Sequence, residues 1–284
     1  PYLDTFGNEA QKDRWMPDIV AGNTIMAVAM TEPGAGSDLA GMRTHAEKKD
    51  DHWLLNGSKI YISNGILADL IIVAAKTNPE NKHAMTLFMI EAGMPGFERG
   101  RNLKKLGMKS QDTAELFFND VKVPPENVLG QVDFGFYYLM QMLAQERLTN
   151  ACCAIAGAKA AYDVTKTYVT ERKAFGREIA KFQNTRFKMA EMKTEIDIGQ
   201  VFVDRCVMDH NQQQLKDDIA AEAKLWTTEL LCKVVDQCVQ LHGGAGYMWE
   251  YPITRMYANA RIQRIFAGTS EIMKEIIGRA NGFA

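Results

Sequence analysis

Apolar positions follow two different rhythms along the chain. Up to Pro125, short runs rich in β-branched and aromatic residues recur between turn signals: Thr24–Met30, Trp53–Leu55, Lys59–Ile62, Leu70–Ala75, Met85–Ile90 and Ala114–Phe118. Runs of that kind predict a compact antiparallel sheet or barrel. Asn56-Gly57, between Trp53–Leu55 and Lys59–Ile62, predicts a type I′ hairpin, because both residues tolerate the positive φ such a turn imposes. Beyond Pro125 the period lengthens to about 3.6 residues. Phe136, Met140, Leu143, Arg147, Ala151 and Ala154 then share one stripe, and periodic segments follow at Asn184–Met208, Ile219–Leu241 and Ser270–Ile277. Proline marks the same division, since none occurs from Glu126 to Tyr251. The expectation is an α+β protein, a β-sheet or barrel over 21–128 followed by an antiparallel four-helix bundle over 129–284. Phe6 to Met16 reads as the end of a helix whose beginning is absent, and with no initiator Met the chain is expected to be a fragment.

Composition narrows the function classes. With 284 residues and 46% apolar content, the chain can bury a substantial core. Thirty-three Lys and Arg against 35 Asp and Glu leave a net charge of −2, so no global basic field favours nucleic acid or an anionic membrane. No apolar run approaches the roughly 20 residues of a bilayer span, and the acidic opening resembles no signal or transit peptide. Cys152, Cys153, Cys206, Cys232 and Cys238 fall in helical segments without CxxC pairs or zinc-like His spacing, which suits a reducing compartment and predicts no metal site.

Six stretches could carry chemistry. Met30-Thr31-Glu32-Pro33-Gly34-Ala35-Gly36-Ser37-Asp38 leaves a strand with small residues, hydroxyls and exposed amides; it is either an ordinary connection or a loop that wraps a polar ligand. Tyr61 and Ser63 alternate onto one face of a strand, as core residues or as an aromatic plate beside a hydroxyl. Glu171–Arg177 ends a helix in a cationic turn, where Arg172 and Phe175 either answer the helix dipole or clamp a phosphate and a ring. Gln240-Leu241-His242-Gly243-Gly244-Ala245-Gly246 needs one glycine for a helix C-cap; three within four residues point to close approach by a chain or ligand, with His242 a capping or packing residue. In Ala267-Gly268-Thr269-Ser270-Glu271, Thr269 or Ser270 caps the last helix, and its free amides could also receive an oxyanion. Glu146 falls in line with Leu139, Met142, Thr149 and Cys153, so it is either a structural ion-pair partner or a carboxylate raised by burial into a general base.

In this order and spacing, from about Phe6 to Arg279, the six stretches resemble the acyl-CoA dehydrogenase family. Its long-chain branch is nearest, on Lys105-Leu106-Gly107-Met108-Lys109-Ser110-Gln111-Asp112-Thr113-Ala114-Glu115-Leu116-Phe117-Phe118, Gly135-Phe136-Tyr137-Tyr138 and Tyr247-Met248-Trp249-Glu250-Tyr251-Pro252. The isovaleryl branch is the near competitor. The resemblance implies a helical front domain, of which 1–20 would be the remnant, a middle β-domain and a C-terminal bundle, with FAD held in a homotetramer built as a dimer of dimers. It implies that Met30, Thr31 and Ser37 line the flavin and the thioester end of the substrate, with Tyr61 and Ser63 against the flavin ring where most members carry Trp and Thr. It further implies that Arg172, Phe175 and Gln183, with Gln240, Gly243 and Gly244, hold the pyrophosphate and adenine side of FAD across a subunit boundary, and that Thr269 and Glu271 add contacts. Tyr137, Arg147 and Gly268 join Ser37 as substrate contacts.

Many members place the catalytic glutamate directly before Gly-Thr, where this chain has Ala267. In the long-chain and isovaleryl branches the first bundle helix supplies it instead, at the position of Glu146. The implied reaction is α-proton removal by Glu146, oxyanion support from the Ala267 amide and an FAD hydroxyl, and hydride transfer from Cβ to flavin, giving a trans-2-enoyl-CoA. Electron-transfer flavoprotein is the implied acceptor, and the compartment bacterial cytoplasm or mitochondrial matrix. A non-catalytic helical binding module is the alternative from another class, should the chain fail to hold FAD; loss of the front domain is expected to weaken FAD binding and slow turnover.

Overall fold

The computed structural model describes residues 1–81 and 83–283. Two compact units divide the chain, one formed by residues 1–105 and 109–142, the other by 106–108 and 143–284.

The first unit opens with helices α1 (Tyr2–Phe6) and α2 (Glu9–Ala21). The expected single helix through Phe6 to Met16 is broken at Gly7, because Asn8 starts a new helix by a reciprocal capping box with Gln11. Strands β1 (Met26–Ala29), β2 (His45–Lys48), β3 (Trp53–Ser63), β4 (Leu70–Lys76), β5 (Met85–Glu91), β6 (Phe97–Asn102), β7 (Thr113–Val123) and β8 (Val128–Leu129) form one sheet. Its order is β6-β7-β3-β2-β4-β5-β8, with β1 pairing beside β4. Pairing is mostly antiparallel, as expected, but β1 runs parallel to β4 from Met26↔Leu70 to Ala29↔Val73, and β2 meets β4 in parallel at His45↔Lys76.

Both faces of the central strands are covered. Ile71, Val73, Ala75, Phe88 and Ile90 pack in one cluster with Trp53 and Leu55, while Leu70, Ile72, Ala74, Leu87 and Met89 pack on the other side with Leu3, Trp15, Leu139 and Met142. That is why β4 and β5 read as continuous apolar runs. β6, an edge strand, buries only Phe97 and otherwise shows charge, which blunts edge pairing.

Asn56-Gly57 is not a hairpin turn. The chain runs straight through it inside β3, and β2 and β3 are joined instead at Lys49–His52, where Lys49 N donates to His52 O at 2.8 Å. Asn56 spends its side chain on Asp120 of β7, donating to the carboxylate at 2.9 Å and accepting from the Asp120 amide at 2.8 Å. Gly57, at φ 146°, sits in a register shift against β7, and a Cβ there would lie 2.4 Å from Thr44 Oγ1. Gly57→Ala is therefore expected to destabilise the protein by about 1–3 kcal/mol, combining a residue forced into glycine's conformational range with overpacking. A thermal melt that matches wild type would refute this.

The second unit is helical: the remainder of α3 (Gly135–Glu171), then α4 (Gln183–Asn211), α5 (Asp217–His242), α6 (Pro252–Ala260) and α7 (Ser270–Ala280). Its core interleaves Ala151, Ala154, Ile155 and Ala158 of α3 with Met192, Ile196 and Val203 of α4 and Leu230, Leu231, Val234 and Val235 of α5. A hairpin, β9 (Lys173–Ala174) and β10 (Arg177–Glu178), separates α3 from α4. All five cysteines are unpaired; Cys206 and Cys238 are buried, Cys153 is exposed, and burial pushes the Cys238 thiol up to about 11. Among the described residues no helix is long and apolar enough to cross a membrane.

Candidate functional site

In the first unit, a buried ion pair shapes the Met30–Ser37 loop. Lys59 of β3 is fully buried, and its Nζ donates to Glu32 Oε1 at 2.8 Å and to Met30 O at 3.0 Å. The Glu32 carboxylate also accepts the backbone amides of Arg43 at 2.6 Å and Thr44 at 3.0 Å. Burial alone would raise this carboxyl, but the Lys59 ammonium and the amide bonds outweigh it and hold the group below its ordinary range. The loop closes on itself through Glu32 and Ala35, whose backbones bond at 2.9 and 3.2 Å. Its start is sewn to β3 where Ile60 N donates to Thr31 O at 2.9 Å. Met30 and Thr31 therefore lie beside the strand that carries Tyr61, while Ser37 is exposed further along the loop.

Tyr61 is no core residue. It takes a left-handed backbone (φ 61°) within a register irregularity between Lys59 and Ile62, and 66% of it is exposed. Strand alternation would have put Tyr61 on the same side as buried Lys59; the left-handed residue breaks the period and turns the ring outward. Ser63 is exposed as well. Tyr137, in the first turn of α3, shows 60% of its surface and meets Phe134 and Phe136 edge-on or tilted.

In the second unit the C-terminal ends of α3 and α5 come together. Tyr168, in the last turn of α3, donates its hydroxyl to His242 O at 3.1 Å and stacks on the His242 ring at a centroid distance of 4.2 Å. This sets exposed Arg172 and the Gln240–Gly244 segment at one end of the bundle. His242 is buried, bonds Cys238 O through Nδ1 at 2.8 Å, and has its pKa lowered by burial, which makes it a packing residue. Gly243 (φ 59°) caps α5, and a Cβ on Gly243 or Gly244 would meet nothing within 4 Å, so bare backbone is presented there.

The Glu171–Arg177 turn is a tight hairpin. Phe175 (φ 51°) and Gly176 (φ 79°) form its two-residue tip, the type I′ pattern, and Phe175 is 95% exposed. A large aromatic in left-handed conformation with nearly its whole ring in solvent carries a cost both in backbone strain and in apolar exposure. Arg177 lies over Phe182 at 4.2 Å, which stiffens the base of the hairpin. Gln183 follows as the exposed first residue of α4.

Glu146 is half-buried on α3. Of the residues in line with it, Leu139 and Met142 are buried but Thr149 and Cys153 are exposed, so the expected apolar face exists only on its N-terminal side. The adjacent Arg147 is buried; burial lowers its pKa, and the carboxylates of Asp217 and Glu146 draw it back. Ala267 (φ 52°) and Gly268 (φ 92°) are consecutive left-handed residues before α7, which Thr269 caps by accepting from Ile272 N at 3.3 Å. Glu271, exposed in the first turn, has its carboxyl held down by its own backbone amide and the Thr269 hydroxyl.

Lys59 and Glu32, the pair that fixes the loop, are not among the residues the sequence singles out. The signal was present: a lysine at an inward position of an otherwise apolar alternation has to be paired.

The family model for the acyl-CoA dehydrogenase middle domain matches residues 27–121, and that for the C-terminal domain residues 133–281. The mitochondrial long-chain specific acyl-CoA dehydrogenase of Mus musculus is 51% identical over 98% of this chain, and the mitochondrial isovaleryl-CoA dehydrogenase of Pongo abelii 40% over 96%. The chain spans 66% of the length of each. The crystal structure of an acyl-CoA dehydrogenase from Geobacillus kaustophilus superimposes with a TM-score of 0.98 at 48% identity, covering 99% of this chain and 75% of that one. On these matches the chain belongs to the acyl-CoA dehydrogenase family.

Proposed function

We propose that the chain is the flavin- and thioester-handling part of an FAD-dependent acyl-CoA dehydrogenase converting medium- to long-chain acyl-CoA to trans-2-enoyl-CoA. The observation that carries this is the half-buried carboxylate of Glu146 on α3 in a family member whose position before Gly-Thr is Ala267. The long-chain preference is supported by 51% identity to the long-chain enzyme against 40% to the isovaleryl one.

The residues present fit FAD. Tyr61 offers an outward aromatic face beside the pinned Met30-Thr31 loop, with Ser37 and Ser63 as hydroxyls. Arg172, Gln183 and Gln240 are exposed donors suited to phosphate and adenine edges, Phe175 gives a solvent-facing ring, and Gly243 and Gly244 let a ligand approach the backbone. Thr269 and Glu271 sit at an α7 N-terminus that favours negative charge. Bound FAD would accept the β-hydrogen of the substrate as hydride and pass two electrons on.

The chain's own groups do the acid–base work. An α-proton beside a thioester is weakly acidic, so its removal needs both a base and a site for the enolate oxygen. Glu146 takes the proton on its carboxylate. The amide of Ala267 donates to the oxygen, a role that tolerates Ala because it uses only backbone. Arg147 keeps a positive charge next to the base, and Ser37 and Tyr137 of the first unit and Gly268 of the second are each proposed as substrate contacts. Electron-transfer flavoprotein is the proposed acceptor, and a dimer of dimers the proposed assembly, since Arg172 and Gln240 would serve FAD across a subunit boundary. Five unpaired thiols suit bacterial cytoplasm or mitochondrial matrix.

Anaerobic titration of the FAD-loaded protein with acyl-CoA of increasing length is expected to bleach the flavin, most completely with unbranched chains. Preference for a branched five-carbon thioester would move the protein to the isovaleryl type, and protein that stays colourless in excess FAD would favour a binding module. Arg172→Ala is expected to weaken FAD binding about 10-fold or more, the value of one charge-assisted hydrogen bond. Fluorescence titration with FAD checks it, and an unchanged Kd removes Arg172 from the cofactor site.

A further inference from the structure

The turn that presents Ala267 is held by α5. Ala267 (φ 52°) and Gly268 (φ 92°) are both left-handed, a geometry an alanine adopts only under constraint, and a Cβ on Gly268 would lie 2.6 Å from Met273 Cε. Three bonds from one helix supply the constraint. Lys224 Nζ donates to Gly268 O at 2.7 Å, and Glu229 Oε1 accepts from Arg264 Nε at 2.8 Å and from Ser270 Oγ at 2.7 Å. The turn is thus gripped before, within and after the two left-handed residues.

Lys224 has no ordinary reason to be where it is. It lies fully buried on the inward stripe of α5 with Ala220, Ala221, Thr227, Thr228 and Leu231, where an apolar side chain would pack at no electrostatic cost. Among the described residues its ammonium donates one hydrogen bond, to the carbonyl of Gly268. We propose that Lys224 is a positioning residue for α-proton removal: with Glu229 it fixes the 264–270 turn so that the Ala267 N–H meets the thioester oxygen. The proposal rests on the dehydrogenase reading given above.

The charged groups facing Lys224 are Glu229 on its own helix, Arg147 on α3 and Glu271 on α7. Burial brings its pKa down to about 8; Glu229 and Glu271 pull it up and Arg147 pushes it further down. The ammonium therefore loses its proton as pH rises through about 8, and the grip on Gly268 weakens in the same range.

Amide hydrogen exchange over peptides spanning 264–272 in the FAD-loaded protein tests the grip without relying on turnover. Lys224→Met is expected to exchange about 10-fold faster there at pH 7, with α4 unchanged and Lys224→Arg close to wild type. Wild-type protection, taken as the intrinsic exchange rate over the observed rate, is expected to fall between pH 7 and pH 9. Equal protection in Lys224→Met, or a flat wild-type profile should that variant not fold, overturns the proposal. In turnover, kcat of Lys224→Met is expected to drop about 10- to 100-fold with KM within threefold, as for a misplaced catalytic group. If kcat holds while Glu146→Gln is inactive, the positioning role fails and the dehydrogenase reading survives. A fully active Glu146→Gln removes that reading and the proposal together.

Discussion

Glu146→Gln is expected to lower kcat by about 10³-fold, within the span attributed to a positioned general base, while FAD content stays at the wild-type level. Glutamine keeps the size and hydrogen-bonding reach of the side chain and loses only the capacity to take a proton. The loss should fall on the first half-reaction, so anaerobic flavin bleaching by substrate slows as much as steady-state turnover does. Circular dichroism and the thermal midpoint serve as controls, because Arg147 is buried and keeps only Asp217 as a charged partner among those that shift it. Bleaching at the wild-type rate would place the base elsewhere.

The second large effect is on stability. Lys59→Met strands the Glu32 carboxylate, which remains buried against the Arg43 and Thr44 amides with no cation. Breaking one side of a buried pair costs about 3–5 kcal/mol, far more than any exposed ion pair contributes. Replacing both, as Lys59→Met with Glu32→Gln, should recover part of this, since the amides keep an acceptor and no charge is left unpaired. The sign of the pH dependence on the acid side follows from the Glu32 carboxyl lying below its ordinary value: the pair's contribution is present above the ordinary carboxylate range and is lost on acidification through the lowered one, while burial lowers Lys59 and so brings its loss of charge nearer on the alkaline side. Urea unfolding at two pH values measures this; a single variant as stable as wild type would show that the pair contributes nothing. Because Lys59 also holds Met30 O, the same variant should loosen flavin binding.

The helices were legible because nothing interrupts them. A proline-free stretch with a sustained period places α3, α4 and α5 within a few residues of where they lie, and tertiary packing only extends their ends. β4 and β5 were equally plain, since burial on both faces leaves unbroken apolar runs. β6 has no such signal, because an edge strand such as Phe97–Asn102 shows charge in place of an apolar alternation. The type I′ geometry assigned to Asn56-Gly57 occurs instead at Phe175-Gly176. Asn56 is claimed by Asp120 across the sheet, a partner 64 residues away that local propensity does not register. Among the residues proposed for the site, Phe175 and Tyr61 stand out in the sequence by type and order, whereas the buried lysines that hold the loops do not, because their meaning lies in partners brought close only by folding. For Glu146 the sequence overstated the apolar surroundings, since Thr149 and Cys153 one and two turns on face outward.

Cys153 gives the molecule a chemical handle. The other four thiols are held protonated by burial, which suppresses the nucleophilic thiolate, whereas this one is open to reagent. A maleimide dye should attach there first, two helical turns and roughly 10 Å along the axis from Glu146. Such a label would report on the middle of α3 without altering Glu146 itself.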